Sequence, residues 1–133
     1  MAEISKSGTP SLATTLPGPE HQINGLTAGE ALGAFDACYI SSDSKVYKST
    51  GAAANAAAKV RGYAAQAYAS GETGVTLRHG VRVRYGAGLT PGANLYLSGT
   101  VAGGLADAAS TGGTGPIGFV VDTTRVELTR SGY

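Results

Sequence analysis

The sequence predicts a mainly β fold: a small antiparallel β-barrel or sandwich with one short helix and an extended N-terminal arm. Three observations carry this. The 133 residues include 21 glycines and few charges, which favours short strands joined by tight turns over long helices. Residues 77–85 alternate with period two, Leu77, His79, Val81, Val83 and Tyr85 on one face and Arg78, Gly80, Arg82 and Arg84 on the other. Residues 1–24 hold Pro10, Pro17 and Pro19 among small polar residues and show no apolar period.

Length allows one domain, which buries roughly two-thirds of its unfolded surface on folding. Charged residues make up 14% of the chain, against roughly 25% in an ordinary soluble domain, so the surface either finds solubility elsewhere or is partly covered by partners. A formal charge of +1 points to no nucleic acid and no membrane surface. Neither a secretory leader nor an apolar run of roughly 20 residues is legible, so a soluble protein made in a host cytoplasm is expected. Cys38 stands alone, so it is expected as a small buried hydrophobe in a strand.

Two regions divide the chain: an arm over 1–24 and a β-rich domain over 25–133. In the arm, Pro17-Gly18-Pro19 lacks two backbone donors and pushes the preceding residues extended. The arm is either an unstructured tail or a segment that orders on a neighbour, reaching about 80 Å when fully extended. Ile4, Leu12, Leu16 and Ile23 are its candidate anchors, with Pro17 and Pro19 stiffening the span between the last two.

From Gly25 onward the text alternates turn and strand. Phe35 to Ile40 and Val46-Tyr47 flank the turn cluster Ser41-Ser42-Asp43-Ser44 and predict a hairpin. The alanines of 51–58 predict a turn or two of helix capped by Ser49 or Thr50, followed by a strand. A single longer helix through Tyr68 is the competing reading. Leu77, His79, Val81, Val83 and Tyr85 form the apolar face of one strand, with Arg78, Arg82 and Arg84 opposite. Thr90-Pro91-Gly92 makes a turn into Asn94–Leu97, and 98–115 is loop-rich. Ile117, Phe119 and Val121 are expected to point inward, with Val126 and Leu128 resuming on the other parity after a bend.

"GLTAGEAL" (25–32) returns as "GLTPGANL" (88–95), with five of eight positions identical. Gly62-Tyr63-Ala64-Ala65 is answered by Gly118-Phe119-Val120-Val121, and Val75-Thr76-Leu77 by Val126-Glu127-Leu128. The chain therefore reads as two related halves, about 25–77 and 88–128. Two such units pair into one body, since neither buries its apolar face alone.

Chemistry is sparse. His21 lies in the arm and His79 on an apolar strand face, so no nucleophile, base and orienting group are brought together and no enzyme is expected. Two histidines and one cysteine give no metal-site spacing, and no cofactor is indicated. Gly112-Gly113-Thr114-Gly115 lacks the lysine and the helix of a phosphate loop. Arg78, Arg82 and Arg84 are too few for a nucleic-acid face but form a docking stripe for an acidic protein partner.

The succession GLTAGEAL, VYKS, AAAKVRGYAAQAYASGETGVTLRHGVRVRYGAGLTPGANLYLS, GGL and PIGFVVDTTRVEL resembles the decoration, or cement, proteins of tailed-bacteriophage capsids, over about residues 25–130. The resemblance implies a non-enzymatic homotrimer on the outer surface of the virion, bound to the major capsid protein and reinforcing contacts between its subunits. It also implies an N-terminal extension reaching onto neighbouring capsomers. Contacts in that family vary, so no binding residue transfers position by position. The alternative is an adhesion or carbohydrate-binding module at a head-fibre base, using exposed tyrosines such as Tyr47, Tyr68 or Tyr96.

Overall fold

Residues 3–4, 6–13 and 21–130 are described by the structure, a computed structural model. It is mainly β, as the glycine content and alternation predict. Among the described residues twelve short strands follow in order: β1 (Glu3–Ile4), β2 (Ser11–Leu12), β3 (Gln22–Ala28), β4 (Ala37–Ile40), β5 (Lys45–Lys48), β6 (Gly62–Ala64), β7 (Thr73–Arg78), β8 (Val81–Arg84), β9 (Asn94–Leu97), β10 (Leu105–Ala106), β11 (Gly118–Val120) and β12 (Arg125–Leu128).

They form two units. Strands β3-β5-β4-β6-β7 close into a barrel, sealed by a parallel β3–β5 pair (Ala28 opposite Val46) and an antiparallel β3–β7 pair. The second unit is a curled seven-stranded sheet ordered β1-β10-β9-β11-β12-β8-β2. Strip away β1 and β2, and the path β8-β12-β11-β9-β10 repeats the barrel's path β3-β7-β6-β4-β5. The two units thus follow one strand topology. The one difference is closure: β3 meets β5 directly, whereas β2 and β1 occupy the gap between β8 and β10.

Equivalent positions are not those the repeated octets suggest. Gly25–Ala28 lies inside β3, with Gly25 at φ +76 where the β3–β7 register shifts. Gly88 instead follows β8 and leads toward β9. Cys38 and Leu95 hold matching places, opposite Gly62 and Gly118. The expected arm boundary at 24/25 therefore falls within β3.

The strand expected over 77–85 is two strands. His79-Gly80 breaks it, β7 ending in the barrel and β8 starting the sheet, with Gly80 at φ +65. Its parity survives the break: Leu77, His79, Val81, Val83 and Tyr85 are all buried. The expected helix is one 3-10 turn, Ala56–Ala58, capped by Asn55, whose Oδ1 accepts from the Ala57 N–H at 3.0 Å. Gly62 then enters β6, so the longer helix is not formed.

Two apolar clusters fill the units. The barrel encloses Ala28, Leu32, Cys38, Val46, Ala64, Tyr68, Val75 and Leu77, so Cys38 is the buried strand residue expected. Alternation in β4 and β6 sends Ala37 and Tyr63 the other way, into the larger cluster with Val83, Leu95, Leu97, Leu105, Ile117, Val126 and Leu128. Tyr63, fully buried, donates its hydroxyl to the Thr129 carbonyl at 2.9 Å and so ties barrel to sheet.

Phe119 and Val121, both expected to point inward, join neither core cluster. Ile117 is buried just ahead of β11, but within the strand Gly118 and Val120 face in and Phe119 is 44% exposed. Gly118, Val120, Val126 and Leu128 share one parity across the β11–β12 hairpin, so no phase change occurs.

Candidate functional site

The arm's first strands lie on the chain's own body. Glu3 and Ile4 pair with Ala106 and Leu105; Ser11 and Leu12 pair with Arg84 and Val83. Between them the Ser7 N–H donates to the Tyr85 carbonyl at 3.0 Å. Ile4 and Leu12 pack against the larger cluster, and Ile23, in β3, against the barrel's. These three expected anchors thus anchor within their own chain. Leu16, Pro17 and Pro19 lie outside the described residues.

A polar cluster fastens this seam. The turn Gly33–Asp36 carries Phe35 at φ +57, a conformation disfavoured for a bulky side chain. It presents the nearly buried Asp36 carboxylate toward the arm. Asp36 Oδ2 accepts from the Gly33 N–H at 2.7 Å, Oδ1 forms an ion pair with Lys6 Nζ, and Lys48 Nζ lies 3.9 Å from Oδ2. At the other side Glu3 Oε1 accepts from the hydroxyls of Ser98 (2.7 Å) and Thr100 (2.6 Å). A cleft of about 270 Å³ runs between, lined by Glu3, Ile4, Lys6, Asp36, Tyr85 and Val101. Burial, then the charges of Asp36 and Glu3, push the Tyr85 phenol up and keep it neutral. Burial, then Asp36, pushes the Cys38 thiol up to about 12, which leaves it a poor nucleophile.

Asp36 was legible only as an acid inside an apolar run, beside a turn. Nothing in the spacing ties it to Lys6 or Glu3, because the segment's strands are two residues long and carry no period.

The arginine stripe is divided. Arg78 sits on β7 in the barrel, while Arg82 and Arg84 share the outer face of β8. Across that face runs a row of directly opposed residues, Asn94, Phe119, Glu127 and Arg82. Beside it runs a second row, Arg125, Arg84 and Ser11. Arg82 reaches Glu127 at 3.4 Å and Arg125 reaches Asp122 at 2.6 Å, so two of the arginines carry counter-charges. Arg84 is exposed. Alternation counted from Ile117 hides Phe119 as a surface residue, since the buried positions of β11 are Gly118 and Val120.

Among the tyrosines, Tyr68 is buried and its hydroxyl accepts from the Thr76 N–H at 3.1 Å, so it offers no exposed ligand contact. Tyr47 stacks on Tyr39 with ring centres 5.9 Å apart and donates to Asp43 at 2.6 Å. Among the described residues, no three His, Cys, Asp or Glu side chains gather as a metal site.

No protein-family model, curated protein or solved structure matches the chain.

Proposed function

We propose that the chain is a non-enzymatic decoration protein of a bacteriophage head, which binds the outer surface of the capsid as a trimer and reinforces contacts between major capsid protein subunits. The observation that carries this reading is the outer face of the sheet. It sets one exposed aromatic, Phe119, between Asn94 and Glu127, with Arg82 beyond Glu127 in the same row and Arg125 and Arg84 in the row alongside, on a chain otherwise poor in charge. An exposed aromatic sharing a sheet face with several arginines is the composition of a protein-binding surface. The cement-like pattern over residues 25–130 supports the same assignment, and attachment at several points per trimer multiplies modest single contacts.

The test is co-sedimentation with heads assembled from the major capsid protein of the phage that encodes the chain. Wild-type protein pellets with heads and raises their resistance to heat. Phe119→Ser and Arg84→Glu each weaken binding tenfold or more while the circular dichroism spectrum stays unchanged. Deleting the arm is the poorer test, since Ile4 and Leu12 pack against the core of their own chain. Wild-type protein remaining in the supernatant defeats the reading; unchanged binding by both variants defeats the assigned face.

The stacked Tyr39–Tyr47 pair favours a second reading, an adhesion or carbohydrate-binding module on a virion surface. Specific glycan-array binding abolished by Tyr47→Ala would establish it.

A further inference from the structure

We propose that residues 3–13 are an exchangeable closing segment, and that the seam between β8 and β10 also accepts this segment from a second copy of the chain. The barrel seals itself with β3 against β5, but the topologically equivalent strands of the second unit leave a gap. Without the segment, β8 and β10 would each present an unpaired edge, the template that strand addition uses.

The occupant is defined by what the seam already recognises. Ile4 opposite Leu105 and Leu12 opposite Val83 complete the core, Lys6 meets Asp36, and Glu3 meets Ser98 and Thr100. Every one of these contacts is reproduced when the segment comes from an identical chain, so exchange changes connectivity and not interaction energy. The ladders to be broken are two residues long at each end. Ten residue steps join Leu12 to Gln22, a tether of at most about 35 Å, enough to cross to an adjacent copy. Concentration then decides between the closed chain and the exchanged one, and passing each segment to the next copy closes a ring in which every seam is filled once.

Ser11 and Arg84 face each other across the seam and are both exposed, at a spacing of the order of 5.5 Å between α-carbons that suits a disulfide. Three preparations are oxidised gently and compared on non-reducing gels with mass spectrometry. The double variant Ser11→Cys/Arg84→Cys, kept dilute, forms an internal disulfide. Separate Ser11→Cys and Arg84→Cys chains, co-refolded at rising concentration, form a mixed disulfide of twice the 13.2 kDa chain mass. Ser11→Cys with Lys59→Cys, an exposed position outside the seam, measures random collision. A mixed product several-fold above that control and rising with concentration is expected. A double variant that fails to close shows that the segment does not occupy the seam, and a mixed product no greater than the control confines it to its own chain; either overturns the proposal. The experiment contains no capsid, so its outcome is separate from that of the head-binding assay.

Discussion

Lys6 and Asp36, thirty residues apart in sequence, form the ion pair that joins the N-terminal segment to the barrel. The two partners are not equivalent. Asp36 is nearly buried and also holds the Gly33 N–H, whereas Lys6 is a quarter exposed. Asp36→Ala removes the shared acceptor and is expected to lower unfolding free energy by about 1–3 kcal/mol. Lys6→Ala leaves Asp36 its turn hydrogen bond and Lys48, so its effect stays within about 1 kcal/mol. Urea denaturation of both variants checks the order; Lys6→Ala matching or exceeding Asp36→Ala would show that the carboxylate is not the organising group.

Gly80 is where the chain leaves one unit for the other. Its φ of +65 strains any L side chain, and a β-carbon there would lie 2.7 Å from His21 Nδ1. Gly71 has a similar conformation, φ +83, but faces open space. Gly71→Ala therefore reports strain alone, roughly 1 kcal/mol, and Gly80→Ala reports strain plus collision and is the larger loss. Thermal unfolding of the two variants side by side decides it: equal shifts would mean that the His21 ring moves aside freely.

That same glycine marks a limit of reading strands from alternation. Leu77 to Tyr85 keeps one parity throughout, because the two-residue period continues on both sides of a one-residue bend. Periodicity thus told which side chains are buried but not that two sheets share them. Phe119 shows the converse limit: Ile117 is buried just ahead of β11, but inside the strand the buried positions are Gly118 and Val120, so two-residue spacing from Ile117 points Phe119 inward although it is exposed. Cys38 and the hairpin of β4 and β5 were legible because aromatic and β-branched residues flank an explicit turn. The seam was not, since β1 and β2 are two residues each, too short to carry any period.

Ser49 is fully buried, and among the described residues its hydroxyl has no hydrogen-bond partner, although its N–H donates to Ala37 and its carbonyl accepts from Gly103. A buried hydroxyl left unpaired has lost its water without compensation. Ser49→Ala retains the backbone bonds and removes the unpaired group, so stability should rise by about 1 kcal/mol. A fall in the denaturation midpoint would reveal that the hydroxyl is satisfied.

His79 gives the fold a pH dependence with a defined sign. Desolvation first, then the positive charge of Arg130 and the neighbouring His21, lower its pKa from 6.5. The folded imidazole therefore sheds its proton more readily than the unfolded one. Between the two pKa values the unfolded chain binds more protons, so stability is complete above about 6.5 and declines as pH falls toward the lower folded value. Asp43 and Asp122 have lowered pKa values, held by the hydrogen bond from Tyr47 and by those from the Thr124 N–H and Arg125, so their contributions fade at more acidic pH than that of His79. The ring of His79 makes an aromatic contact with His21 at 6.0 Å, which His79→Gln removes along with the titration. Unfolding measured from pH 7.5 to 5.5 should slope less steeply in that variant than in the wild type. Parallel slopes would place the acid sensitivity elsewhere, with His21→Gln the next substitution to separate the pair.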